Sequence, residues 1–449
     1  MKKIVCVILL FSLAKLNAQV ITGPMLGHTD FRTSTIWFQV KNTNTKYQLL
    51  YWQENATPTT NSQVVEGVTN SSSNVHTLLF TITNLQPNTT YLYKLVVTGN
   101  TKQISTGKFK TQELWQWRKD PPTFSFLTGS CTYINQPEYD RPGKPYGNDT
   151  SIFETMAKEK ADFMLWLGDN WYTREVDYYS SWGLHARPSF ERQKSFYKNF
   201  LKAMPHYAIW DDHDYGWNDA DKSYPLKETS RNVFKQFWAN PSYGENNQGI
   251  YTKFTWNDLD IFLLDDRWFR SNDEMPDSIN GQVNQHKEMY GKQQLEWLKN
   301  ALLQSKTNKN INFRIIATGS QVLNPMSPFD CLKHFTKEYN ELLSFIQDNE
   351  IKGLLFFTGD RHHSEVIKQE RKGAYTLYDI TSSPLTSGSH KFGGTEKNNP
   401  YRVAGIDDIQ NYSRVTLTGT LKDRILKVEF IDSKGNVLSN WSINANELK

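Results

Sequence analysis

Five short apolar runs in this chain break directly into acids, histidines or a cysteine. They are FSFLTGSC (124–131), DFMLWLGDNWY (162–172), HYAIWDDHDYGWND (206–219), LDIFLLDDRWFR (259–270) and GLLFFTGDRHHSE (353–365). Each run is too short for a helix with a buried stripe. All five read as buried strands. Between them lie helical patterns. SIFETMAKEK (Ser151–Lys160) has Ser151 and Glu154 spaced for a capping box. KQQLEWLKNALLQ (Lys292–Gln304) places Leu295, Leu298, Leu302 and Leu303 on one face, and KEYNELLSFIQ (Lys337–Gln347) is a third. Strands alternating with helices predict an α/β domain over residues 123–449.

The polar groups sit just past the strand ends: Cys131; Asp169, Asn170 and Tyr172; Asp211, Asp212, His213, Asp214 and Asn218; Asp265, Asp266, Arg267 and Arg270; Asp360, His362 and His363. Ligands of open α/β sheets collect beyond the C-terminal strand ends, and a buried strand holds the turn after it rigid. Taken singly the motifs are weak. Gly-Asp after a strand is commonly a turn, a free Cys a small buried hydrophobe, and an acidic loop a solvated surface. Five coinciding strand ends argue instead for one cleft that holds metal. Thiolate, carboxylate, phenolate and imidazole donors span soft and hard cations. A carboxylate shared by two ions would build a dinuclear site, the arrangement suited to in-line displacement at phosphorus. Arg267 fits as a bidentate phosphate clamp; otherwise it is a surface partner of Asp265 or Asp266.

Residues 19–112 have a different texture. TIWFQV (Thr35–Val40), YQLLYW (Tyr47–Trp52), HTLLFTI (His76–Ile82) and TTYLYKLVV (Thr89–Val97) are rich in β-branched and aromatic residues, separated by Asn, Thr, Ser, Gly and Pro. The pattern predicts a small β-sandwich of immunoglobulin or fibronectin type III size, joined through a linker at 113–122. SRVTLTGTL and ILKVEFID are strand-like segments near the other end of the chain.

The first 18 residues have a basic start and an apolar stretch too short to span a membrane comfortably, and Ala18 offers a cleavage point. They are read as an export signal, with a short anchor as the alternative, and the product is expected to be periplasmic or secreted. Cleavage removes Lys2, Lys3 and Lys15 and no acid, taking the formal charge from +4 to +1. That near-neutral balance gives no support for nucleic-acid binding or an anionic membrane surface. No later run is long and apolar enough to cross a membrane. Cys131 and Cys331 are then the remaining cysteines, too few for a disulfide scaffold, although one Cys131–Cys331 bridge is a possible alternative to thiolate ligation. A monomer is expected.

In order along the chain, GPMLGHTDFRTSTIWFQV, LQPNTTYLYKL, GSC, LGDNWY, WDDHDYGWND, LDDRWFR, GKQQLEWLKNAL and GDRHHSE resemble the alkaline phosphatase D (PhoD-like) family of the metallophosphoesterase superfamily. The resemblance implies a mixed α/β fold: two β-sheets packed face to face and flanked by helices, behind a small all-β domain. It implies an iron, ferric, held by Cys131, Asp169, Tyr172 and His362. It implies a calcium at a second position shared through Asp169, with Asp212 and Asp360 as ligands; another divalent metal such as zinc is the alternative. Asn218 would lie near metal and substrate, His213 would donate a proton, and Arg267 would contact phosphate. Asp214, the Gly319–Gln321 segment GSQ and His363 depart from the family pattern. The implied activity is hydrolysis of small-molecule phosphate esters by a metal-activated hydroxide, as an alkaline phosphatase or phosphodiesterase. A phospholipase-type diesterase and a non-catalytic metal- and glycan-binding protein are the other readings.

Overall fold

A computed structural model describes residues 20–57, 62–100 and 102–449. The predicted export segment lies outside them. Among the described residues no helix is long and apolar enough to cross a membrane.

Residues 20–110 form two four-stranded antiparallel sheets. One has the spatial order Val20–Thr29, Ser34–Val40, Val75–Ile82, Val68–Ser72; the other has Gln63–Glu66, Tyr47–Gln53, Thr90–Val97, Gln103–Lys110. Ile36, Phe38, Leu49, Phe80, Tyr93 and Leu95 fill the space between them. Glu113–Pro122 is a packed connection. Trp115 is buried within it, and the Arg424 guanidinium, ion-paired with buried Asp258, donates to the Pro122 carbonyl.

The rest of the chain is built on two larger sheets. The six-stranded sheet runs His206–Ile209, Phe163–Leu167, Phe124–Gly129, Asn411–Thr420, Asp423–Asp432, Val437–Asn444. Its first three strands are parallel and the rest antiparallel. The seven-stranded sheet runs Thr252–Trp256, Leu259–Leu263, Phe313–Thr318, Leu354–Thr358, Ala374–Thr381, Ser364–Arg371, Arg402–Ile406, with a parallel block from Leu259–Leu263 to Ala374–Thr381. The sheets stack face to face, with Phe126 against Phe357 at 6.0 Å between ring centroids.

This stacking explains the uniformly apolar runs. Side chains alternate across a strand. In the seven-stranded sheet Ile261, Ile315 and Phe357 face the other sheet, while Phe262, Ile316 and Phe356 face Leu295, Leu298, Leu302, Leu342 and Ile346 of the outer helices Gly291–Thr307 and Thr336–Asp348. Both faces are dry, so both must be apolar.

Two expectations need correction. Leu303 lies outside the buried helical face and is 38% exposed, because it is one position beyond the Leu295–Leu298–Leu302 stripe. Ser151 does not cap its helix, which is Ile152–Met156. Its hydroxyl donates to the Asp149 carboxylate at 2.5 Å, so it is not available to the helix N-terminus.

The N-terminal sheets pack on this body. Trp37 joins the large core and donates its indole N–H to the Gln236 carbonyl at 2.8 Å, and the Gln39 amide donates to Ser189 Oγ at 2.5 Å. A cavity of about 420 Å³ lies along this junction, at the opening ends of the parallel strands. The polar residues singled out above gather past the other ends.

Candidate metal centre

Two close approaches fix the loops here. Gly359 follows the strand Leu354–Thr358, and a Cβ there would lie 2.4 Å from the Leu167 carbonyl oxygen. Gly168 has φ +91° and passes against Asp211. Glycine lets the turns after three strands crowd together. The next residues are then bent into the left-handed region: Cys131 (φ +61°), Asp169 (+50°), Asp360 (+67°) and His362 (+58°). Such a conformation is unfavourable for non-glycine residues, and where surrounding structure enforces it the reason is commonly functional.

Cys131, Asp169 and His362 bring one sulfur, one oxygen and one nitrogen within 4.8 Å of one another; Asp169, Asp212 and His213 form a second such group. Asp169 belongs to both. The Tyr172 hydroxyl is 3.2 Å from His362 Nε2 and adjoins the Cys131 thiol. His362 Nδ1 lies 2.6 Å from the Gly388 carbonyl, which can only accept, so Nδ1 carries the proton and Nε2, facing the thiol–carboxylate group, is an acceptor that the Tyr172 hydroxyl meets. Tyr146 Oη also approaches Nδ1, at 3.0 Å, and His390 stacks on the ring at 4.8 Å. The Cys131 thiol accepts from Ser383 Oγ at 3.2 Å, a donor that stabilises a thiolate.

Asp360 is outside both three-residue groups, but its charge acts on Cys131 and Asp169. Asn218 is not brought to the cluster: it is exposed and donates to Asp219 at 2.6 Å, while the Asp219 backbone N–H donates to Asp212 Oδ2 at 2.7 Å. Asp214, one of the departures, accepts from the backbone N–H of Asn170 at 2.9 Å and of Asp211 at 3.0 Å, tying two ligand-bearing loops together.

Electrostatically the cluster is strained without a cation. Burial, then Asp212, pushes Asp169 well above the carboxylate range, and burial pushes Cys131 to about 11. Burial and then Asp330 take Asp360 to about 7. His213 is lowered by burial against the pull of Asp212, and its Nδ1 has no partner among the described residues. Crowded carboxylates, a thiol and a free imidazole nitrogen in a buried cluster suit bound metal ions, whose charge offsets these penalties. The donors fit a mixed soft and hard pair of ions.

Cys131 and Cys331 are both free and buried, so the bridge weighed as an alternative is absent; the Cys331 thiol points to the Asn324 carbonyl at 3.5 Å. Arg267 is not at the surface. It is fully buried, with Nε and Nη2 on Asp211 Oδ1 at 2.6 and 2.5 Å and Nη2 on Asp330 Oδ2 at 2.8 Å.

A third group, His363, Glu365 and Glu396, is equally tight. Its charges are already matched: Glu365 pairs with Arg402 at 2.6 Å and Glu396 with Arg361 at 2.5 Å, while the Gln321 amide donates to Glu365 at 2.8 Å. In this network Gln321 and His363, the latter one of the departures, both meet Glu365 and anchor the loop bearing Asp360 and His362. Tyr146, Ser383, Gly388 and His390 escaped the sequence reading, because no periodicity or strand end marks them.

The fold matches the solved structure of PhoD, with TM-score 0.75 and 16% identity over 96% of this chain and 91% of that one. It also matches purple acid phosphatase PPD1 from yellow lupin (Lupinus luteus) seeds, with TM-score 0.68 and 12% identity over 94% of this chain and 74% of that one. At such identities the likeness is one of fold. No curated protein sequence matches. The PhoD-like phosphatase profile matches residues 126–421, a span that contains every candidate ligand, and the chain therefore belongs to the PhoD-like phosphatase family.

Proposed function

We propose that this phosphatase is exported to the periplasm or beyond and hydrolyses small phosphate esters at an iron–calcium centre. The observation that carries the reading is Asp169, one buried carboxylate common to two ligand groups. Cys131, Asp169, Tyr172 and His362 would hold iron; Asp169, Asp212 and Asp360 would hold calcium or another divalent ion. Bound there, the ions supply an acidified water and neutralise phosphoryl charge.

The chain's own residues supply the rest. Arg267 is held in orientation by Asp211, and its Nη1 has no partner among the described residues, leaving a donor for a phosphoryl oxygen. His213 packs on Tyr172 at 4.1 Å between ring centroids, which fixes the imidazole that would move a proton to the leaving group. Asn218, on the exposed rim, would meet the substrate from outside. Monoesters and diesters share this chemistry, and the relative turnover of mono- and bis-p-nitrophenyl phosphate ranks them.

Asp169→Ala tests the shared ligand. Both ions should be lost by elemental analysis, and turnover should fall about a thousandfold or more, as expected when several kcal/mol of charge stabilisation is removed. A metal-replete, fully active variant would refute the bridging role.

A further inference from the structure

Arg267 is not the lone buried guanidinium at this edge. Arg270 is also fully buried, stacked over Phe335 at 4.8 Å. One oxygen, Asp330 Oδ2, accepts from both: Arg267 Nη2 at 2.8 Å and Arg270 Nη2 at 2.9 Å. Arg270 Nη2 also reaches Asp273 Oδ1 at 2.6 Å. Three N–H-bearing atoms remain without a partner among the described residues: Arg267 Nη1, Arg270 Nε and Arg270 Nη1. The two guanidiniums thus have donors to spare, gripping a carboxylate oxygen as they would grip a phosphoryl oxygen.

Asp330 differs from the other acids around it. It comes from the connection between the strand Phe313–Thr318 and the helix Thr336–Asp348, and its side chain is 16% exposed, whereas Asp211 is fully buried. Through Arg267 it is linked to Asp211, the residue just before the proposed ligand Asp212. Asp211, Asp273 and Asp330 bring three carboxylates to two guanidiniums. A phosphoryl oxygen could take the Nη2 donors of both guanidiniums only if the carboxylate that bridges them left. Asp330, with its solvent face, is the one that can.

We propose that Arg267 and Arg270 form a two-guanidinium oxyanion subsite, and that Asp330 is its internal occupant, displaced by the phosphoryl group of the substrate and by product phosphate. Arg270 then contacts substrate, and Asp330 sets affinity for phosphate by competing for the pocket. The proposal rests on the phosphoesterase reading.

The test uses metal-loaded protein with inorganic phosphate as the probe and p-nitrophenyl phosphate as substrate. In Asp330→Asn the competing charge is gone and the shape is kept, so the phosphate inhibition constant and KM should both fall about tenfold, the scale of one charged hydrogen bond. In Arg270→Gln the inhibition constant should rise about tenfold. Hydrogen exchange in wild-type residues 324–331 should quicken on adding phosphate, a readout that does not depend on either variant folding. Turnover with unchanged phosphate affinity in Asp330→Asn, or exchange that slows or stays the same, would overturn the proposal alone. No turnover of any phosphate ester by the wild type would overturn the phosphoesterase reading and this proposal with it.

Discussion

At the scale of single residues, the site is a set of groups held in unfavourable states. Cys131, Asp169, Asp360 and His362 have left-handed backbones, and three of them are titratable groups displaced upward by burial. Residue types were legible from sequence because strand ends announce them. Partners were not. Arg267 reads as a phosphate clamp or a surface ion pair, yet its buried partners Asp211 and Asp330 lie 56 and 63 residues away, distances that local pattern does not bridge. Glu191 is a similar case. It is buried, neither carboxylate oxygen has a partner among the described residues, and burial lifts it to about 8 against the pull of Arg187 and Arg174. An acid raised in the folded state contributes stability that is full below its ordinary range near 4.5 and is lost as pH climbs through about 8. Thermal denaturation should therefore show a melting temperature that falls between pH 5 and pH 8. Glu191→Gln should flatten that slope and gain about 1–3 kcal/mol at pH 9; a wild-type profile without the slope would show that Glu191 ionises normally.

At the scale of elements, the predicted strands at Thr35–Val40, Tyr47–Trp52, His76–Ile82 and Thr89–Val97 form within a residue of their expected bounds. Val20–Thr29 and Gln103–Lys110 were missed. The first contains two glycines and a proline, and the second is polar and largely exposed, so neither shows the β-branched and aromatic pattern of a strand. The helix Gly291–Thr307 formed where expected, but one of its four leucines faces outward. That difference is measurable. Leu298 is wholly buried against the seven-stranded sheet, so Leu298→Ala should cost about 2–5 kcal/mol in chemical denaturation. Leu303→Ala should change stability by no more than about 0.5 kcal/mol. Equal losses would mean the helix is rotated.

At the scale of the whole molecule, the alternation of buried strands and helices makes an α/β body legible, whereas the two-sheet stack is carried by the family resemblance, because short apolar runs look alike in one sheet or two. The stacking also places the chemistry. Parallel strands from both sheets end at one edge, so loops that are far apart in sequence supply a single cleft. The packing of the N-terminal sheets through Trp37 and Gln39 was not legible, since an aromatic on a sandwich strand looks alike whether it faces its own core or a neighbour. Asn218 is exposed and Asp330 partly so, which is where substrate choice would be made if both act as proposed. The gathered ligands are proposed to make this chain a metal-dependent phosphoesterase. The most direct test of that proposal is hydrolysis of p-nitrophenyl phosphate by the metal-loaded protein at alkaline pH, with and without a chelator. Turnover that chelation abolishes and added metal restores is the predicted result. Turnover indifferent to thorough metal removal, or none from a protein shown to carry both ions, would contradict it.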